Sequence, residues 1–362
     1  MMLVEYRVIA GCIVLKFSPD GSSMSSLFTL AIVDSPFLPN EFATIASRAA
    51  STGWNVRRYD GAGALEATSA DHATIDAILC MGHGRYDEPL FASMPRLRAL
   101  LSAVTGIEGI DIEAATAHGI AVSNGQTELN YIGMAEATIL MILTCLYDLN
   151  FTQAVLKENL PRPSPLRARL VRGRRLGFIG FGRIAQEVAA RLRPWDVEIV
   201  AYVHRENPAL ARLNVRRIDL EPLLCECDIV SLNCSLNEMT RHIINAERLA
   251  LMRPDAVLIN AARGALIDEA ALYEALANGH LAGAALDVFE TEPLPAASKL
   301  RTLGNVLLTP HMIGHTNECN ETLMENAWMN LLRIARGELP NSLKNADVAS
   351  AWQARAALTQ AV

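Results

Sequence analysis

Arg175-Leu-Gly-Phe-Ile-Gly180-Phe-Gly182-Arg-Ile-Ala185 decides the fold: an apolar strand runs into a glycine turn that opens a helix. In that context Gly180 permits the tight turn, Gly182 lets the backbone approach a pyrophosphate, and Ala185 allows close packing of helix on strand. The amides of Arg183 and Ile184 then face the phosphates at a positive helix end. A glycine turn with no ligand is the plain alternative. A second strand, Glu198-Ile-Val-Ala-Tyr202, follows in register for a βαβ unit and favours the dinucleotide reading.

Outward from this unit the same alternation continues. Short apolar runs at Ile229–Leu232, Ala256–Ile259, Gly283–Asp287 and Val306–Leu308, spaced by helical patterns, predict a doubly wound parallel sheet. Towards the start, strands are predicted at Thr29–Asp34, Asn55–Arg58, Ala77–Met81 and Ile120–Val122, with the alternation continuing through Leu97–Val104. Helices are predicted at Glu41–Thr52 and Ile112–His118, which makes a second open α/β sheet. A long helix from about Tyr131 to Leu149 leads into Lys157-Glu-Asn-Leu-Pro-Arg-Pro-Ser-Pro165, whose prolines forbid helix and mark a boundary. The basic stretch Arg162 to Arg175 reads as a solvated connection, with a polyanion site as its functional alternative.

Three further stretches stand just past strands of the second sheet, where such sheets bind ligands: Asn260-Ala-Ala-Arg-Gly264, Asp287-Val-Phe-Glu-Thr-Glu-Pro293 and Thr309-Pro-His-Met-Ile-Gly314. Reducing a 2-oxo acid needs a cation to clamp the carboxylate, an acid to protonate the new alkoxide, and a carboxylate to hold that acid. Arg263, His311 and Glu292 supply one each. The planar fork of arginine suits a bidentate clamp, and histidine titrates near neutrality, with a neighbouring carboxylate favouring its imidazolium form. At the end of the strand Glu198–Tyr202, where an NAD site offers a carboxylate to the ribose diol, stands Val203, followed by His204 and Arg205. A neutral residue with two cations favours the 2′-phosphate of NADP, with NAD as the alternative and an incidental loop charge as the plain reading.

Composition agrees with small-molecule chemistry. The 362 residues suffice for two domains. A net charge of -7 argues against a nucleic-acid partner. Seven cysteines without CxxC pairs suggest neither a disulfide framework nor a zinc ribbon, and point to a reducing cytoplasm. Cys225 and Cys227 could form a metal pair but lack partners at ligand spacing, which leaves small apolar packing. Ile9-Ala-Gly-Cys12 resembles a lipoprotein cleavage box, yet Arg7 interrupts its apolar approach, so residues 1–26 read as an extension ahead of the fold, with Met24 as a second start. No membrane partner is expected, because the longest apolar run, near 132–147, contains Glu136.

Taken together, Gly106-Ile-Glu-Gly-Ile-Asp-Ile-Glu-Ala-Ala115, the Gly180–Ala185 loop, Leu249 to Gly264, Leu286-Asp-Val-Phe-Glu-Thr-Glu-Pro-Leu294, Thr309-Pro-His311 and Gly337-Glu-Leu-Pro340 resemble the D-isomer-specific 2-hydroxyacid dehydrogenase family. The resemblance implies two doubly wound α/β domains. A Rossmann cofactor domain (128–319) is inserted into a flavodoxin-like substrate domain (1–127 plus 320–362), with a catalytic cleft between them and a homodimer formed through the helix near 131–149. By the same resemblance Arg263 binds the substrate carboxylate, His311 is the acid/base and Glu292 pairs with it. Asp287 sits near the nicotinamide amide, Cys234, Ser235, Ala262 and Gly314 border the dinucleotide, and amides at Thr105 and Gly106 meet the carboxylate. The implied substrates are small 2-oxo acids such as glyoxylate or hydroxypyruvate. A dinucleotide-sensing, corepressor-type binding protein of the same fold is the alternative from another class.

Two features depart from the family pattern. Asn233-Cys-Ser-Leu236 replaces its His-x-Pro-Leu, and His315 stands where a small residue is usual. His311 and His315 form His-x-x-x-His, but a zinc site would need a helix where Pro310 and Gly314 predict a loop. His83 and Arg85, in Met81-Gly-His-Gly-Arg-Tyr86, are candidate readers of the substrate tail or an ordinary surface turn.

Overall fold

The computed structural model describes residues 6–9, 12–15 and 28–360. The chain divides into two compact units, Met1–Gly125 with Leu323–Val362, and Gln126–Thr322. Ahead of the first sheet, β1 (Tyr6–Ile9) and β2 (Cys12–Leu15) pair antiparallel, a hairpin within the stretch read from sequence as an extension. Ala10 and Gly11 of the cleavage-box motif, and Met24, lie outside the described residues.

The first unit carries a five-stranded parallel sheet from β3 (Thr29–Val33), β4 (Asn55–Tyr59), β5 (Ala77–Cys80), β6 (Ala99–Ser102) and β7 (Ala121–Ser123), in the order β4-β3-β5-β6-β7. That is the flavodoxin-like order of a doubly wound sheet. Every residue of β3, β5, β6 and β7 is buried, as expected of strands covered on both faces. Edge strand β4, Asn-Val-Arg-Arg-Tyr, is instead exposed or half-buried up to its last residue. The end of the chain is tied to β7 by Asn345, which is buried: its Oδ1 accepts from Val122 N at 2.9 Å, and its Nδ2 donates to Ile120 O at 2.9 Å and Thr116 Oγ1 at 3.0 Å.

In the second unit β8 (Arg175–Ile179), β9 (Glu198–Tyr202), β10 (Arg216–Arg217), β11 (Ile229–Leu232), β12 (Val257–Asn260), β13 (Gly283–Leu286) and β14 (Val306–Leu308) form one parallel sheet. Its order is β10-β9-β8-β11-β12-β13-β14. Relative to β8 this is the Rossmann order 3-2-1-4-5-6 with one strand added. The order reverses between β8 and β11, so the crevice beyond their carboxyl ends is the ligand position for such a sheet. The two-residue β10 has no apolar pattern to announce it.

Two expectations are corrected. The helix placed at Tyr131–Leu149 is two helices, Glu128–Leu146 and Leu149–Lys157, because Asp148 sits in the left-handed region at φ 49° and breaks the ladder. The first begins earlier than expected because Thr127 caps it, its hydroxyl accepting from Asn130 N. By length and composition this helix is apolar enough to cross a membrane, and 56% of that window is buried within the protein. The proline stretch does avoid helix, but the compact unit continues through it.

Replacing Asn345 by alanine strands the buried Val122 N–H and Ile120 carbonyl. The expected loss is about 2–4 kcal/mol of stability, read by urea denaturation.

Candidate active site

The cofactor loop is built by contact as well as by conformation. Gly180 has φ +88°, and a Cβ added to it would lie 2.7 Å from Asn233 O and 2.8 Å from Cys234 N. Only glycine fits there. Gly182 precedes the helix Arg183–Leu192; a Cβ on it would meet nothing within 4 Å, and its helix start has no side-chain cap. The first-turn amides of Arg183 and Ile184 therefore keep their hydrogen-bonding capacity for a ligand. Ala185 is fully buried in the helix–sheet core. An open approach, an uncapped helix start and a glycine-only turn fit a dinucleotide pyrophosphate. The Arg183 guanidinium is stacked over the Tyr131 ring and donates to its hydroxyl at 3.1 Å.

At the end of β9, Val203 is buried while His204, Arg205 and Glu206 are exposed. Among the described residues neither His204 nor Arg205 has an ion pair. Glu206 gives the turn a negative charge that the sequence reading did not weigh. Cys234 is half-buried and burial pushes its thiol up to about 11, so it stays a neutral wall beside Ser235 rather than a nucleophile.

The three catalytic candidates come from loops beyond β12, β13 and β14. Asn260 holds the first loop, donating to Arg263 O at 2.9 Å and accepting from Ala262 N at 3.0 Å. Gly264 is pressed on the next loop so closely that an added Cβ would lie 1.8 Å from Phe289 C. In that second loop Glu292 Oε1 accepts from Phe289 N at 3.0 Å, which leaves Oε2 for His311 Nδ1 at 2.7 Å. The third loop is anchored by Asp287, whose Oδ1 accepts from Thr309 Oγ1 at 2.6 Å, Met312 N at 3.0 Å and Ile313 N at 3.2 Å. His311 stands inside that anchored turn at φ 55°. One oxygen of Asp287 is thus committed to the loop, a task that the sequence reading, which placed this residue near the nicotinamide, did not foresee. Gly314 also has a packing reason: a Cβ there would strike Met134 Sδ.

His315 closes the turn, its amide donating to Met312 O at 2.9 Å. Burial, then the charge of His311, lowers its pKa, while Asp287 acts the other way. Neither histidine is helical, and among the described residues no cluster of three His, Cys, Asp or Glu could hold a metal. Cys227 is buried against Gly177 and burial raises its thiol to about 12, whereas Cys225 is exposed, so the two thiols do not face one site. Five of the six arginines in the basic stretch pair within their own unit: Arg167 with Asp148, Arg169 with Asp255, Arg172 with Asp196, Arg174 with Asp228, and Arg175 with Glu198 and Glu226.

The remaining candidates belong to the first unit, beyond β5 and β6. Gly82 and Gly109 interlock with Gly106 and Gly84, fixing the turn that exposes His83 and Arg85; Arg85 is paired with Asp87. Thr105 O accepts from Asn124 Nδ2 at 2.7 Å and Gly106 O from Ser102 Oγ at 2.7 Å. The buried Gly106 N–H donates to no group among the described residues.

Comparison with known proteins identifies the lineage. The family model described as "D-isomer specific 2-hydroxyacid dehydrogenase, NAD binding domain" matches residues 139–313. A glyoxylate reductase of Pyrococcus furiosus is 36% identical over 281 residues, 76% of this chain and 83% of that relative. The chain belongs to the D-isomer specific 2-hydroxyacid dehydrogenase family. Among solved structures of the same dehydrogenases, a glyoxylate reductase from Paecilomyes thermophila matches with TM-score 0.78 and 26% identity, covering 88% of this chain and 98% of that one. A D-lactate dehydrogenase from Aquifex aeolicus, complexed with NAD and lactic acid, matches with TM-score 0.77 and 25% identity over 88% and 99%. As a dehydrogenase of this family the chain is an oxidoreductase of 2-hydroxy acids that uses a nicotinamide dinucleotide.

Burial raises the Asp287 carboxyl above its usual range, against the three hydrogen bonds and the nearby His311. The folded state therefore holds this proton more tightly than the unfolded chain, whose carboxyl titrates near ~3.9. Its contribution to stability is full below that pH and is lost as pH rises through the folded value. Asp287→Asn keeps an acceptor for the loop and removes the charge. Its stability in urea is expected to gain on wild type between about pH 4 and pH 7; a gap that stays constant across that range would refute the role of burial.

Proposed function

We propose that this dehydrogenase reduces glyoxylate, hydroxypyruvate or a 2-oxo acid of similar size, with NADPH as the preferred donor. The observation that carries the reading is the ordered set Arg263, Glu292 and His311 on three adjoining loops of the cofactor-binding sheet. When bound, the reduced nicotinamide supplies a hydride to the oxo carbon. Arg263 then fixes the substrate carboxylate, its fork suited to two parallel hydrogen bonds. Glu292 occupies His311 Nδ1, so Nε2 is the nitrogen left to deliver a proton to the oxygen that becomes hydroxyl. The carboxylate stabilises the imidazolium before transfer and keeps the ring from turning. In oxidation Nε2 receives that proton. Thr105, Gly106 and Arg85 are proposed substrate-binding residues of their own unit; the Gly106 N–H, which donates to no group among the described residues, supports this reading for Gly106.

The NADP preference is supported by the buried Val203, which stands where an NAD site offers its carboxylate, and by the exposed His204 and Arg205, which have no ion pair among the described residues; the charge of Glu206 in the same turn opposes it. Steady-state reduction of a panel of 2-oxo acids with each dinucleotide tests both parts. Arg205→Asp is expected to raise KM for NADPH by about 10- to 100-fold, the worth of a charged hydrogen bond, and to leave NADH nearly unaffected. Equal changes would remove Arg205 from phosphate recognition, and no turnover of any 2-oxo acid would sink the substrate reading.

A homodimer is proposed in addition. Beyond the helix Glu128–Leu146, the apolar side chains of Tyr147, Leu149, Leu156, Leu160, Leu166 and Leu170 are exposed within one segment of the chain, with Leu156 at 85% and Leu166 at 82%. Exposed apolar surface of this kind marks association. The doubly substituted Leu156→Glu, Leu166→Glu protein should sediment as a monomer where the wild type sediments as a dimer. The free thiols of Cys80, Cys145, Cys225, Cys227, Cys234 and Cys319 support a cytoplasmic setting.

A further inference from the structure

Behind the catalytic loops lies a group of titratable residues that the reaction itself does not use: His242, Glu269 and Glu290. Glu269 is the first residue of the helix Glu269–Ala277, but its carboxylate does not cap that helix. Asp268 does so, accepting from Ala271 N at 3.0 Å. Glu269 Oε1 instead accepts the amide of Glu290 at 2.5 Å. The Glu290 side chain is gripped separately by His242 Nε2.

Three segments close into one ring through these bonds. The chain leaving Arg263 passes through Gly264, pressed on Phe289, and runs beside His242–Ile244: His242 N donates to Ala265 O at 2.8 Å and Ile244 N to Leu266 O at 3.0 Å. It then reaches Glu269, which turns back to Glu290. Glu290 is held at its amide and at its side chain, and two residues later Glu292 meets His311. The Glu269 carboxylate is therefore a second link, besides the Gly264–Phe289 contact, between the segment that carries Arg263 and the segment that carries Glu292. Its pKa is raised: partial burial is the largest cause, the charges of Glu290 and Glu292 push the same way, and the hydrogen bond from the Glu290 amide opposes them.

We propose that Glu269 is a positioning residue: by accepting the Glu290 amide it fixes the turn that aims Glu292 at His311. The proposal rests on His311 and Glu292 being the acid–base pair. Without the bond, Glu290 N–H loses its partner and the turn from 290 to 292 can drift. Displacements of about 1 Å in a catalytic constellation are enough for large rate losses. Dinucleotide binding depends on the Gly180–Ala185 loop, at the ends of other strands, and should not feel the change.

Glu269→Gln retains an oxygen acceptor of the same reach, Glu269→Asp retains the charge but draws it back by one methylene, and Glu269→Ala removes both. With glyoxylate and NADPH, the Ala and Asp variants are expected to lose kcat by about tenfold or more. KM for NADPH and its binding by fluorescence titration should stay at wild-type values, and the Gln variant should recover most of the rate. Wild-type kcat in the Asp variant, or a Gln variant as impaired as Asp, would overturn the proposal, and both readings remain available if the Ala variant does not fold. His311→Ala, measured in parallel, separates the two levels. Retained turnover there would instead overturn the acid–base assignment.

Discussion

The contact on which the site depends is the one between Gly264 and Phe289. Main chain meets main chain there at a distance that excludes any side chain, which brings the loop bearing Arg263 against the loop bearing Glu292. Such an approach is open to glycine alone. Once the two loops touch, a cation and a carboxylate are presented from neighbouring strand ends, and the third loop needs only to be held in register with them. Asp287 provides that register by gathering one hydroxyl and two amides onto a single oxygen.

The chemistry is distributed between soft and stiff parts. His311 and Glu292 retain access to solvent, with side-chain exposures of 38% and 33%, so their hydrogen bond is preserved less by burial than by the rigidity of the turns beneath them. Those turns are stiff for identifiable reasons: an Asn260 side chain bridging its own loop, a buried Asp287, and an outer ring of bonds closing through Glu290. Electrostatic preorganisation of this kind requires that the donors and acceptors do not move when charge develops.

Much of this was legible in the sequence. The alternation of apolar runs and helical patterns gave both sheets nearly strand by strand, since strands buried on two faces carry an uninterrupted apolar signal. The loop Gly180–Ala185 and the three stretches past β12, β13 and β14 were found because their residue types have few other uses at strand ends. What escaped has physical causes. The hairpin of β1 and β2 and the two-residue β10 lack a long pattern. The break at Asp148 follows from one left-handed backbone conformation that many residues could have avoided. The bonds of Glu269 and His242 to Glu290 join residues 21 and 48 positions apart, and no spacing rule reaches across them. The loop-holding role of Asp287 likewise emerges only when the strand ends are brought together.

His311 occupies a backbone region that side chains other than those of Asn, Asp and His rarely enter. That fact restricts how this lineage can evolve. A duplicated copy released from catalysis would be free to lose the imidazole, yet most replacements would strain the turn that Asp287 anchors. Asparagine or glycine at 311 would relieve the strain while abandoning the proton. A sequence of this family with either residue there would therefore mark a descendant that has given up turnover and kept its shape.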